Sequence, residues 1–410
     1  MPTDRARHIP ELLVIHADEL AFLWGQRRAA VHDARYTLKA FVGLNDRVES
    51  HVQGLLAVPS ALPELLMPRV LEARERDEVF AAGHALLRLS EPAVTQRVVL
   101  AFAAASAEQL LGLRDALGFA PLGNSAPDVH AMLAGAPPPQ ALAAATVLAH
   151  HGRLEPDEPR LNALLMDDDP QVCEQAWRVL GWVDGKHAAR NGANAAAPPR
   201  RPYKPALDRP EAAVRRAALG AAVWTAQPWA LPGIRKLAAD GDAAAFGWLA
   251  ALGTGEDWPA ILVACHAMDD ATQRPDLLAR AGHPLALEPL EAFMRVDDAV
   301  VVDASIDSFS RITGVDVRGT RSTAPVADDA DDFAREFAPS VWRADLAAVA
   351  SYRKTSEQRL AAGTRWNRGI RVDGAPALAD LAKVDLPARW DACARAALAG
   401  RPMSSPPPVF

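Results

Sequence analysis

Long apolar runs are missing from this 410-residue chain: no unbroken run of uncharged apolar residues approaches eighteen, so no membrane-spanning helix is predicted. The opening MPTDRARHIPELL has no extended apolar core and carries acidic residues from Asp4 onward. That pattern predicts neither secretion nor membrane insertion and points to the cytoplasm. Cysteine is scarce. Cys173, Cys265 and Cys393 are scattered and odd in number, so no disulfide framework is predicted and a reducing compartment is the simpler reading. The chain has no C-x-x-C, H-E-x-x-H or H-x-x-x-H pair, the spacings by which zinc ligands announce themselves. It has no G-x-S-x-G elbow and no glycine-rich phosphate loop. These gaps predict no catalytic residue, no metal and no cofactor. Signals for β structure are few.

What the chain does have is helix. Half its residues are hydrophobic and 23% are charged, the balance of a folded soluble protein. The net charge of -7 argues against a nucleic-acid surface unless basic residues are segregated. In DRPEAAVRRAALGAAVWTAQPWALPGIRKL, residues 208–237, the small residues Val214, Ala217, Ala218, Ala221 and Ala222 recur at steps of three and four. They share one helix face, with Arg215 and Arg216 off it.

The same set recurs at Val79, Leu110, Ala141 and Val172, each 31 residues after the last, although Arg114 breaks the second copy. Val214 to Ala245 is 31 again, and weaker copies follow near Gln273 and Val300. A constant period of this length marks stacked helix pairs. Asp169-Pro170, Asp208 with Pro210, Asp242 and Asp297-Asp298 stand before these helices. There an acidic side chain caps exposed amides and proline is tolerated. Partner helices are predicted half a period earlier. Upstream, residues 9–31 and 35–58 read as two long antiparallel helices whose large side chains suit a terminal cap.

The block DRPEAAVRRAALGA, with DDPQVCEQAWRVLG at 168–181 as a second match, resembles the short HEAT-like repeat of the phycobilisome-lyase type. Repeats of that type are widespread and do not imply lyase activity. A second resemblance spans nearly the whole chain. HADELAFLWGQRRAAV, LNDRVESHVQGLL, VCEQAWRVLG, SFSRITGVD, PSVWRADL and GTRWNRG follow one another as in an uncharacterised bacterial family often encoded beside type VI secretion genes. That resemblance implies a cytoplasmic accessory protein and supplies no activity.

One period is broken: Val172 to Val214 is 42 residues. The intervening GKHAARNGANAAAPPRRPYKPALDRP holds prolines that forbid a regular helix, and it is basic, with no acidic residue between Asp184 and Asp208. An exposed irregular loop is predicted over 185–210. Long loops of this kind are usually functional or disordered. Arg200, Arg201, Tyr203 and Lys204 are its candidate partner-binding residues. The acidic residues at 328–332 are the competing internal dock. After Gly314 the repeat stops. Residues 315–340 read as an acidic linker, 341–400 as a small, mostly helical domain, and 401–410 as a disordered tail. In that domain GTRWNRGIRVDG places Arg365, Trp366 and Arg368 together, the residue types that interface hot spots favour.

Other constellations read as packing. His16, His32 and His51 could converge, as could His150-His151 with Cys173, but no ligand spacing accompanies them. Trp177, Trp182, Trp224, Trp229, Trp248 and Trp258 recur through the central repeats. With a basic face and an Asp they would suit a HEAT-like DNA glycosylase, but the negative net charge opposes phosphate binding. The expectation is an all-α, HEAT-like α-solenoid of about eight helix pairs: a cap over 1–60, repeats over 61–314, then the linker and the small domain. Its function is expected to be non-catalytic recognition of another protein, such as a secreted effector or a secretion-apparatus component. Nucleic-acid binding is the alternative.

Overall fold

The computed structural model describes residues 10–191, 201–323, 326, 331–338, 340–356, 359–360, 364–373, 377–401, 403 and 406. The fold is all-α, with two small two-stranded sheets among the described residues. Two compact units divide it. The first runs to Thr225 without Asp33–Leu38, and the second takes Asp33–Leu38 and Ala226–Arg401.

The first unit opens with α1 (Pro10–Ala30) and α2 (Leu38–Leu56). Helix pairs follow: α3 (Leu62–Glu72) with α4 (Arg76–Arg88), α5 (Pro92–Ala104) with α6 (Ala107–Phe119), and α7 (Ala126–Gly135) with α8 (Pro138–His150). Then come α9 (Pro159–Leu164) with α10 (Pro170–Asn191) and α11 (Tyr203–Leu207) with α12 (Ala212–Trp224). The 31-residue anchors fall on α4, α6, α8, α10 and α12, and each of these helices packs on the next. Small side chains permit that approach. Val79, Ala141, Ala144, Ala145, Ala176, Val214 and Ala218 are all buried. The periodicity was therefore a record of which face meets the next repeat.

Two expectations about this unit need correcting. The irregular stretch after Val172 starts later than predicted, because α10 continues through Asn191. Its prolines all lie at 198 or beyond, so nothing stops the helix at Gly185. Lys186 then packs over the Trp182 ring at 4.4 Å and donates to the Ala149 carbonyl at 3.0 Å. Asp208 does not begin α12. It ends α11, where it pairs with Lys204 at 2.7 Å. Asp169 and Asp298 cap as expected, accepting from the Gln171 and Val300 amides at 2.8 and 2.9 Å.

The second unit continues the pattern with α13 (Ala230–Ala239) and α14 (Ala243–Leu252), α15 (Trp258–Ala267) and α16 (Gln273–Ala281), and α17 (Leu287–Phe293) and α18 (Ala299–Thr313). Again α14 packs on α16 and α16 on α18. Beyond Gly314 the chain is less helical than the sequence suggested. The expected linker holds β1 (Arg318–Thr323) and α19 (Asp332–Glu336), and β1 pairs antiparallel with β2 (Ser340–Ala344). The first helix of the 341–400 segment, α20, spans Leu346–Ser356. WNRGIR forms a hairpin, β3 (Trp366–Asn367) with β4 (Ile370–Arg371), before α21 (Leu378–Leu381) and α22 (Leu386–Leu398). β3 and β4, of two residues each, are too short to show an alternating pattern, and β1 is almost wholly exposed. Most of the tail read as disordered, 401–410, lies outside the described residues.

One buried group in the first unit gives a pH prediction. His84 is buried on α4, bonded to the backbone of Ala116, with Nδ1 lacking a partner. Burial, aided by Arg88, lowers its pKa to about 4 from an ordinary 6.5. As pH falls below about 6.5 the unfolded chain takes up this proton before the folded one does. Stability is therefore full above that pH and declines down to about pH 4. Between pH 7.5 and pH 5 the loss from His84 is expected to be about 2 kcal/mol. Urea unfolding at the two pH values should show it, and His84→Leu should remove it. An equal loss in wild type and variant would assign the pH dependence elsewhere.

Candidate functional site

In the second unit, the segment carrying β3, β4 and α22 lies against the C-terminal ends of α14, α16 and α18. A helix leaves its last carbonyls unpaired and partly negative there, so donors collect at those ends. The Arg365 guanidinium donates to the carbonyls of Ala250 at 2.7 Å, of Ala281 at 2.5 Å, and of Gly253. Arg395 donates to the carbonyls of Ala251 at 2.7 Å and Val372 at 3.0 Å. Backbone amides do the same work. Trp366 N bonds the Gly282 carbonyl, and Arg368 N and Gly369 N bond those of Arg311 and Ile312. This contact requires glycine at two helix ends. Gly282 and Gly314 have φ of 61° and 75°, and a Cβ on either would fall within 2.7 Å of a hairpin carbonyl oxygen.

Between these elements is a half-open cavity of about 180 Å³. Leu252, Ile261 and Ala281 supply apolar wall, and the Trp258 and His283 rings stack at 5.4 Å and 25°. Arg365, Arg395 and Asp373 also line it, with Thr254 and Gly255. Arg365 is only 8% exposed, and among the described residues no carboxylate forms an ion pair with it or with Arg395. The neighbouring carboxylates are taken: Asp257 by Arg235, Asp391 by Arg280, and Asp373 by Arg371. Desolvation by burial lowers the Arg365 pKa to about 9, with Arg395 adding to the effect. It therefore stays charged at neutral pH, and the cavity wall carries two guanidiniums beside the Asp373 carboxylate.

The residues singled out in the sequence serve mainly to hold the fold. Arg201 was expected to face a partner. Instead it is buried against Asp184, with Nη2 at 2.8 Å from Oδ1, and reaches Asn162 Oδ1 at 2.5 Å and the Pro156 carbonyl at 2.6 Å. Its internal dock is thus α9, α10 and the turn before α9, not the acidic residues at 328–332, of which Asp328 and Asp329 lie outside the described residues. Tyr203 tilts onto Trp177 at 5.1 Å, with its hydroxyl 3.2 Å from Thr225 Oγ1. Lys204 is exposed. Arg200 lies outside the described residues. Arg365 is the buried clamp described above. Half-buried Trp366 bonds Thr364 Oγ1 at 2.8 Å, and Arg368 donates to the Ala34 carbonyl at 2.9 Å. Arg395, His283 and Trp258 were not read as a site. The Asp391–Arg395 spacing looks like a surface pair, and only packing shows that it faces inward.

Other expected clusters resolve individually. His16 and His51 do meet, Nδ1 to Nδ1 at 3.2 Å, while His32 is exposed. His151 bonds the Leu117 carbonyl, and Cys173 the Leu165 carbonyl, so these two do not converge. Trp248, expected in the core, is only partly buried, with the Arg280 guanidinium 5.9 Å from its ring centre. Among the described residues no three His, Cys, Asp or Glu side chains are placed to hold a metal ion, and no single helix is long and apolar enough to cross a membrane.

A second surface feature lies on α1. Leu12, Ile15 and Phe22 are 50%, 53% and 65% exposed. They project from the face opposite buried Leu13, Leu20, Leu23 and Trp24, among exposed Glu11, Asp18 and Glu19. No protein-family model matches the chain, and no curated protein matches it.

Proposed function

We propose that this protein is a non-catalytic helical-repeat scaffold that recognises another protein, and that it acts in the cytoplasm as an accessory of type VI secretion. The observation that carries the recognition reading is the exposed face of α1. Three large apolar side chains on one helix face, rimmed by carboxylates, are what a partner's groove or helix would cover. The secretion context rests on the ordered sequence resemblance alone. The nucleic-acid alternative has less support. Asp115, whose charge acts on Arg27 and His150 beside the Trp24, Phe119 and Trp182 rings, already receives both Arg76 and Arg114.

Pairwise co-purification with the products of adjacent genes tests the proposal. An adaptor binds both an effector and a spike component, whereas an immunity protein neutralises a single toxin. Ile15→Glu with Phe22→Glu leaves the core untouched and should weaken the interaction at least about tenfold, the scale of losing one buried anchor. Undiminished binding by this double variant would remove α1 from the interface. Binding to DNA that falls steeply with salt would favour the alternative.

A further inference from the structure

We propose that the cationic cavity of the second unit binds an organic carboxylate borne on a single aromatic or branched apolar group. The source is either a free acid or the C-terminal residue of a partner chain. Size sets the first limit. An engineered apolar cavity of about 150 Å³ accepts benzene, so about 180 Å³ has room for one ring-sized group and its carboxylate. Charge sets the second. Two guanidiniums and the Asp373 carboxylate, itself paired with Arg371, line the space, and the C-termini of α14 and α16 each return only about half a negative charge. The nearby carboxylates of Asp257, Asp373 and Asp391 are answered by their own arginines. About one positive charge is left facing the cavity, which one carboxylate balances and a phosphate dianion would exceed.

The lining chemistry agrees with that division. Arg395 keeps its buried Nε without a partner, and arginine pairs best with a planar oxyanion. The Trp258–His283 stack, with Leu252, Ile261 and Ala281, provides the surface that an aromatic or branched group would cover. Desolvating two guanidiniums without a counter-ion is expensive, so a bound carboxylate would also stabilise the unit. This inference does not depend on the α1 surface.

Calorimetric titration of the full chain with 3-phenylpropionate, its amide, and a hexapeptide ending in phenylalanine, free or amidated, tests the assignment. The acid should bind with a dissociation constant below about 1 mM and the amide at least about tenfold more weakly, as expected for a lost charge-assisted hydrogen bond. Arg395→Gln should erase that discrimination. Ile261→Trp, which fills the cavity without touching a charge, should abolish binding, with thermal melts confirming that both variants fold. Should Arg395→Gln fail to fold, Ile261→Trp and the amide comparison still decide. Binding of the free-ended peptide but not the small acid assigns the site to a partner's C-terminus, and the reverse assigns it to a small molecule. No binding of either at about 10 mM, equal binding of acid and amide, or binding unchanged by Ile261→Trp overturns the proposal.

Discussion

Asp115→Ala is expected to destabilise the protein by about 5 kcal/mol, the upper end for breaking a buried ion pair. The reason is that one carboxylate serves two buried cations. Arg76 donates to Oδ2 from Nε at 2.9 Å and Nη2 at 2.7 Å, while Arg114 donates to Oδ1 from Nε at 3.0 Å and Nη2 at 2.7 Å. Both guanidiniums are almost fully enclosed, at 6% and 3% exposed. Burial alone would raise the Asp115 pKa, but Arg114 and Arg76 override it and hold the carboxyl below the usual range. Alanine removes the carboxylate that these two adjacent cations share between α4 and α6. Urea unfolding should show the loss, with Asp115→Asn intermediate. Replacing all three residues by Met or Leu should recover most of the stability, because removing a whole buried ionic group avoids stranding any charge. A loss below about 1 kcal/mol for Asp115→Ala would mean that water reaches the site and that the triad is not buried as described.

Asp385→Ala should cost about 3–5 kcal/mol and release the hairpin from the helix ends. The Asp385 side chain is fully buried. Oδ2 accepts from Arg311 Nε at 2.8 Å and Asn367 Nδ2 at 2.5 Å, and Oδ1 accepts from the Ala388 amide at 2.8 Å, capping α22. Asp385 N in turn donates to Asn367 Oδ1 at 3.1 Å. One substitution therefore strands a buried arginine, removes a helix cap worth about 1 kcal/mol, and unpairs the asparagine that positions β3. Arg311 would retain only Asp276, an exposed carboxylate of small worth. Asp385→Asn keeps an oxygen for the cap and should lose less. Thermal melts measure the stability, and limited proteolysis across 364–373 measures release of the hairpin. Unchanged cleavage there would show that the helix-end carbonyl contacts alone hold β3 in place.

Neither site was marked in the sequence as more than an irregularity. Arg114 appeared there as a break in the repeat, and the break is the point where a charge replaces an apolar anchor. Arg76, which shares Asp115 with it, lies one repeat earlier and was not singled out. Asp385 was not singled out at all. Likewise Arg365 and Trp366 were picked out together as partner contacts, and Arg365 is buried at the helix ends. The acceptors of Arg365 at Ala281 and Ala250 lie 84 and 115 residues away.

The sequence by itself determined the helices, their pairing, the anchor face of each repeat and the interruption after Val172. These follow from side-chain spacing within a few turns and from local caps, so short windows contain the information. Tertiary structure alone decided which charged residues became anchors, where α10 ended, that the tail carried hairpins, and that Arg365 and Arg395 would share a cavity with the Trp258–His283 stack. A charge in sequence looks the same whether it will be solvated or buried. Only the distant group that meets it settles the difference, because in low dielectric an unpaired charge is costly and a paired one is fixed in place.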